Sequence, residues 1–339
     1  MGCMDELSRV KEGLGNITKL DMIDKKIIRA LFSNKRKKQK EISKKARVSK
    51  EVVNYRLNNL QKNEILVGNV AIINNLKLGY LCSITYLKLQ KINKVREMEI
   101  IDFFVNQDYV KAIATCTGHW DIFIVCSSKN IIQYNDVLRE FENFCGENLK
   151  KKRSAIILEE YFLPYDYIFK ENGNIIKKQK VKNKMIIDFI DKKILKKIST
   201  NSSMRLVELA KKTKLTPEAV SYRIKKLTEN KIITNFFPLI NISKLGYHWH
   251  TVSLYLHNLN KKRENQLIKY LKDHPNIVVV IKTVGEWNLE FDVHVKTSQE
   301  FREILMSIRE EFSDIINDFE SNLIFADYKY THFPHGLMK

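Results

Sequence analysis

The chain repeats itself at a fixed distance. Ile23-Asp24-Lys25-Lys26-Ile27 returns as Ile190-Asp191-Lys192-Lys193-Ile194, Leu78-Gly79-Tyr80 as Leu245-Gly246-Tyr247, and Gly118-His119-Trp120-Asp121 as Gly285-Glu286-Trp287-Asn288, every pair 167 positions apart. One offset held across motifs this widely spread means two near-complete copies of a single folding unit. The copies run over residues 20–163 and 187–330. The segment between them, PYDYIFKENGNIIKKQKVKNKM, carries Asn, Gly and many lysines without sustained apolar periodicity, and reads as a basic, mostly solvated linker.

Each copy divides again. Its first part is helical: Ile23, Ile27, Ile28 and Leu31 fall on one helical face, a short helix follows around 39–46, and a third helix reads VSKEVVNYRLNNL over 48–60. The second copy writes that third helix as LTPEAVSYRIKKL over 215–227. A β segment from Ile65 to Ile73 closes the helical part and is expected to form a hairpin. The remainder predicts strands at 81–90, 109–117, 119–127 and 153–162, with helices at 94–107 and 129–145. A β-α-β-β-α-β order of this kind gives a ferredoxin-like sandwich, a four-stranded antiparallel sheet with helices on one face.

The repeated third helix is the candidate reader of a partner. Val53, Leu57 and Leu60 make one buried stripe, as do Val220, Ile224 and Leu227. A turn of about 100° per residue puts Glu51, Tyr55 and Asn58 opposite that stripe, with Asn54 and Arg56 on its flanks. In the second copy Glu218, Tyr222 and Lys225 point outward, and Ser221 and Arg223 flank them. Ser49 is placed as an N-cap ahead of Lys50. Thr216 repeats the cap and Pro217 follows it, where the missing N–H costs nothing. A helix of this polarity before a β segment suits a winged helix-turn-helix in the major groove of double-stranded DNA. Tyr55 and Arg56 would equally serve by covering neighbouring apolar surface.

Charge agrees with a polyanionic partner: 59 Lys and Arg stand against 39 Asp and Glu, a formal net charge of +20. A general enrichment in Lys, Ile and Asn would produce the same sum. Cys3, Cys82, Cys116, Cys126 and Cys145 contain no C-x-x-C pair and are odd in number, which fits reduced thiols and not a disulfide framework or a zinc site. No apolar run approaches the length of a bilayer span and no signal-peptide core follows Met1, so a cytoplasmic protein without a membrane partner is expected. His248 and His250 share a strand face, but no i, i+4 pair or cysteine accompanies them, and no metal or cofactor is expected. No Gly-rich phosphate loop or nucleophile elbow points to catalysis, so no catalytic residue is assigned.

IDKKII, ISKKARVSKEVVNYRLNNL and EILVGNVAIINNLKLGY together resemble the helix-turn-helix of the Lrp/AsnC (feast/famine) transcriptional regulators, and LVELAKKTKLTPEAVSYRIKKL with KIITNFFPLINISKLGY resembles it more closely. The β-α-β-β-α-β module with its Gly-x-x-Asp hairpin is similar to that family's ligand-binding RAM domain. The resemblance implies an α+β fold with two copies of a winged helix-turn-helix followed by a ferredoxin-like RAM domain. Its divisions are an N-terminal extension (1–19), a first winged helix-turn-helix (20–79) and RAM domain (80–163), the linker (164–186), and a second pair (187–246 and 247–332). By resemblance Ser49, Asn54, Tyr55, Arg56, Thr216, Ser221, Tyr222 and Arg223 face DNA. Arg56 and Arg223, which flank the helix, serve equally well as holders of phosphates or of the helix itself.

The resemblance also implies a small amino-acid-like effector near Gly118, His119 and Asp121, and near Gly285, Glu286 and Asn288, where Asn288 replaces an acid suited to an ammonium group. The glycines alone are equally explained by a tight hairpin. Two recognition helices in one chain imply an intramolecular pseudo-dimer, with further homo-oligomerisation left open, and an asymmetric or degenerate operator because Asn54 aligns with Ser221.

Strand 287–296 alternates Leu289, Phe291, Val293 and Val295 with Glu290, Asp292, His294 and Lys296, and is expected to be wet on one face. The first copy has Phe123, Val125 and Ser127 at the ionic positions, so the two sheets are expected to play unequal roles, Phe123 buried and Glu290 exposed. Two rival readings remain: a sirohaem-decarboxylase-like enzyme of the same fold, and an architectural binder indifferent to sequence. On the first reading phosphate contacts come from the Lys-rich surface, including Lys35-Arg36-Lys37-Lys38, and base readout from the two helices.

Overall fold

The computed structural model describes residues 9–10, 17–33, 35–169, 187–258 and 260–338. Most of the proposed linker (170–186) and most of the N-terminal extension lie outside the described residues. Each copy begins with three helices: α1 (Met22–Leu31), α2 (Gln39–Ala46) and α3 (Lys50–Lys62) in the first. In the second, past a short α6 (Asp166–Phe169), come α7 (Phe189–Ile198), α8 (Leu206–Thr213) and α9 (Pro217–Glu229). The opening helices start at matching capping boxes, Asp21 with Asp24 and Asp188 with Asp191.

The strand after each helical trio, β1 (Leu66–Ile73) or β6 (Ile233–Ile240), does not fold back within its own copy. The two pair with each other, antiparallel, from Leu66 opposite Ile240 to Ile73 opposite Ile233. This corrects the expected hairpin. Ala71 and Ile73 of β1 are buried in the helical core of the second copy, beside Ile194 and Leu227. The two helix-turn-helix units are therefore one body, with their spacing set by a shared two-stranded ribbon.

The ferredoxin-like halves follow the predicted order. The first has β2 (Leu81–Leu89), α4 (Lys94–Val105), β3 (Val110–Gly118), β4 (Ile122–Ser128), α5 (Ile131–Cys145) and β5 (Leu149–Phe162). The second has β7 (His248–Leu256), α10 (Lys261–Asp273), β8 (Ile277–Gly285), β9 (Leu289–Val295), α11 (Ser298–Glu311) and β10 (Ile316–Tyr330). Strand order is β3-β4-β2-β5 in one and β8-β9-β7-β10 in the other. The last strand of each copy then pairs with the second strand of its twin, β5 with β8 and β10 with β3, so eight strands close into one barrel. Closure leaves no free edge on either sheet.

Closure explains the glycines. Gly118 and Gly285 sit at φ +133° and +137°, where a side chain is strained. A Cβ at Gly118 would meet Ser321 O at 3.0 Å, and one at Gly285 would meet Ala155 Cα and Ser154 O at 3.0 Å. Both seams of the barrel need a residue without a Cβ at the point where copy meets copy.

Closure also overturns the wet-strand expectation. Ile122, Ile124 and Cys126 pack under Ile101, Phe104 and Phe141, and Leu289, Phe291 and Val293 pack under Leu267, Leu271 and Ile308. The alternate residues point into the barrel, where Phe123 is 7% exposed and Glu290 only 1%. Both are covered because each sheet is the other's lid. Alternation reported two faces, but the second faces protein and not water.

The residues after β5 are also drawn inward. Leu163, Tyr165 and Ile168 are buried, and the Tyr167 hydroxyl bonds His294 Nδ1 at 2.6 Å. The expected linker thus begins as packed structure over 164–169, because its aromatic residues cover one end of the barrel. Cys82, Cys116, Cys126 and Cys145 are buried free thiols, and no helix among the described residues is long and apolar enough to cross a membrane.

Candidate nucleic-acid interface

Helix α3 starts where Ser49 Oγ accepts from Val52 N at 3.3 Å, and α9 where Thr216 Oγ1 accepts from Ala219 N at 3.2 Å with Pro217 in the first turn. These hydroxyls are spent on capping, each satisfying one of the otherwise unpaired first-turn amides. Val53 and Leu60, and Val220, Ile224 and Leu227, anchor the two helices; Leu57 is half-buried. The opposite side is open to solvent. Tyr55 is 64% and Tyr222 66% exposed, and Lys50, Glu51, Asn54, Asn58, Glu218, Ser221 and Lys225 are exposed as well. Asn54 Oδ1 accepts from Gln39 Nε2 across the turn to α2.

Two expected DNA-facing residues are committed elsewhere. Arg56 Nη1 donates to Asp21 Oδ2 at 2.5 Å and lies 3.4 Å from Asp24 Oδ1. Arg223 Nη1 reaches Asp188 Oδ2 at 2.6 Å and Asp191 Oδ1 at 2.8 Å. In both copies the arginine clamps the third helix to the capping box of the first, a correction to its grouping with the outward residues. The spacing of 167 between Arg56 and Arg223, and between their Asp pairs, carried that signal. A residue flanking the helix faces its neighbour helix before it faces solvent.

The basic run is also partly drawn in. Arg36 Nη2 donates to Met204 O of the second copy, and Lys37 Nζ donates to Ala30 O at 2.5 Å. Burial pushes the Lys37 ammonium down to about 8. Arg36 ties the two helical units together and Lys37 is held against α1 of its own copy, so neither offers free charge.

Other cations take that place. The residue closing α2 is Arg47, in the left-handed region at φ 58°, and its twin closing α8 is Lys214 at φ 56°. Glycine is the usual occupant of such a turn. Both copies keep an exposed cation there, one residue pair before the N-cap of the recognition helix. Lys44 and Lys45, repeated as Lys211 and Lys212, extend the exposed charge along the preceding turn. Sequence reading passed over these positions, although their basic character repeats at the same offset as the helices.

At the ferredoxin-like hairpins the expected effector residues are engaged internally. Asp121 Oδ2 accepts from Leu89 N at 2.7 Å and its Oδ1 takes Lys88 Nζ at 2.8 Å. Asn288 Oδ1 accepts from Leu256 N at 2.7 Å, while Tyr255 stands where the first copy has Lys88. An amide oxygen makes that backbone bond as well as a carboxylate does, and without the lysine no charge is called for. The acid thus answers Lys88, which corrects its role as an ammonium site. His119 and Glu286 are exposed at the hairpin tips, near Glu320 (3.8 Å) and Arg153 (3.9 Å) respectively.

A winged helix-turn-helix DNA-binding family model matches the chain twice, over residues 20–67 and 187–234. The HTH-type transcriptional regulator FL11 of Pyrococcus abyssi is 30% identical over 121 residues, 35% of this chain and 78% of that protein. The HTH-type transcriptional regulator LrpA of Bacillus subtilis is 32% identical over 95 residues, 28% of this chain and 68% of that one. Among solved structures, the siroheme decarboxylase NirDL superposes with a TM-score of 0.60 over 93% of this chain and 94% of its own, at 13% identity, a likeness of fold alone. With two family-model matches and regulators aligning over most of their own length, the chain belongs to the Lrp/AsnC family of helix-turn-helix transcriptional regulators.

Proposed function

We propose that this DNA-binding regulator reads an operator sequence with α3 and α9 together. The observation that carries the reading is the matched exposure of Tyr55 and Tyr222 on two helices whose cores are joined through the β1–β6 ribbon. Lys50, Glu51, Asn54, Asn58, Glu218, Ser221 and Lys225 contact base edges or phosphates beside them, and Arg47 and Lys214 hold phosphates at the turn. Arg56 and Arg223 support the helices from behind. Because Asn54-Tyr55 is matched by Ser221-Tyr222, the two half-sites differ in sequence. The test is footprinting on genomic fragments followed by binding of Tyr55→Ala and Tyr222→Ala. Each variant is expected to lose roughly 10-fold or more in affinity, a cost of about 1–3 kcal/mol per base contact, and at a different half-site. A loss that is equal on random duplex would support the architectural reading instead.

Regulation in place of catalysis is part of the same proposal. Between the two sheets Tyr86, Phe123, Trp120 and Trp287 are buried and pack against one another, which supports this reading over a tetrapyrrole site among them. A saturable sirohaem spectrum on mixing would overturn it. For a small effector at the hairpin tips, the exposed His119 and Glu286 are the available polar groups, and calorimetry with amino acids tests them.

A further inference from the structure

One end of the barrel holds a cation that the DNA interface does not use. Arg9 enters from the N-terminal segment, and its carbonyl accepts from Ile242 N at 3.0 Å. Its Nε donates to Asp327 Oδ2 at 2.8 Å, and the backbone N–H groups of Arg9 and Val10 donate to Asp327 Oδ1 at 2.7 and 3.3 Å. The guanidinium carbon lies 3.7 Å from the ring centre of Tyr330 and 4.6 Å from that of Trp249. The Asp327 side chain is 2% exposed.

Beside this contact is a small cavity lined by Arg9 itself, Tyr165, Tyr330, Trp249, Asp292 and His294. Trp249 is buried beside Asp292. Burial pushes the Asp292 carboxyl up to about 7, with the hydrogen bond from Trp249 and the charge of Arg9 working against that shift.

The chemistry of the walls selects one kind of occupant. A buried carboxylate that accepts from Nε, with two aromatic rings against the cation, suits a planar, delocalised and weakly hydrated charge. A compact ammonium is more strongly hydrated and gains less from such walls.

We propose that this end of the barrel is a binding site for small guanidino compounds, occupied in this structure in cis by Arg9. An external ligand competes with a tethered side chain, so it displaces Arg9 only at concentrations well above its affinity for the emptied site. The proposal concerns ligand recognition and does not rest on how the recognition helices read DNA.

The test uses the full chain with Arg9→Ala and agmatine as probe, butylamine as the ammonium control. Arg9→Ala is expected to melt below the wild type and to regain Tm saturably with agmatine by a few degrees, as linkage requires. Arg9→Ala combined with Asp327→Asn is expected to show no gain. A gain equal with butylamine, or equal in the double variant, overturns the proposal, as does no gain at all. Wild-type hydrogen exchange gives a reading that needs no variant to fold. Agmatine at millimolar concentration should speed exchange of the Arg9 and Val10 amides several-fold as Asp327 releases them. Exchange unmoved at any agmatine concentration would count against the site.

Discussion

Residues 153 and 320 occupy the same position in the two copies, 167 apart, and they meet: Arg153 Nη1 lies 2.6 Å from Glu320 Oε1 across the pseudo-two-fold axis. In a dimer of identical copies a residue on the axis faces itself, so an arginine there would meet an arginine. Fusion into one chain has allowed opposite charges. The consequence extends to the neighbouring tryptophans. Trp120 Nε1 donates to Glu320 Oε2 at 3.0 Å, whereas its twin Trp287 lies beside the buried Glu290. At about 4 Å and an effective dielectric near 20 the bare attraction is about 4 kcal/mol. Side-chain exposures of 24% and 16% mean that desolvation and screening offset much of it, leaving a net coupling of about 1–2 kcal/mol. Glu320→Arg replaces attraction by repulsion and strips Trp120 of its acceptor, so it should destabilise by about 3 kcal/mol, a fall in Tm of roughly 4 °C for a chain of this size. Combining it with Arg153→Glu restores an ion pair with the charges exchanged. The double swap is expected within about 1 kcal/mol of the wild type. Thermal unfolding of the four proteins closes the cycle. A double variant as unstable as the sum of the singles would refute the argument.

Gly285→Ala and Gly118→Ala force a Cβ onto backbone at 3.0 Å in a strained region, and each should cost about 2–4 kcal/mol in thermal stability; an unchanged Tm would mean that the seams are looser than described. Burial raises Glu290 to about 8 and Asp292 to about 7, so the folded chain holds protons that the unfolded chain releases near pH 4. The stabilisation is complete below that pH and is lost as pH rises through about 7–8, with a slope approaching about 1.4 kcal/mol per pH unit per group. Melting from pH 5 to 9 should show this fall, and Glu290→Gln should flatten it; a parallel profile would remove Glu290 from the account. Arg47→Gly relieves a left-handed residue and should stabilise by about 1 kcal/mol, while weakening DNA binding and lowering its salt slope by about 1. Affinity unchanged in that variant would take the turn cations out of the interface.

The amino-acid order determined much of this protein locally. The offset of 167 established two copies, helical spacing and capping residues placed α3 and α9 with Tyr55 and Tyr222 outward, and the β-α-β-β-α-β order named each half. All of these depend on neighbours a few residues away, so periodicity and caps reveal them. Only the tertiary structure decided what covers each face. β1 pairs with β6 of the other copy and not with a strand of its own, because edge pairing is a long-range choice that no local pattern encodes. Glu290 and Asp292 look wet in sequence and are buried, because the apolar side of one sheet closes over the polar side of its twin. Asp121 answers Lys88, Arg56 answers Asp21, and Arg153 answers Glu320, since a charge shows its sign along the chain but finds its partner only in the fold.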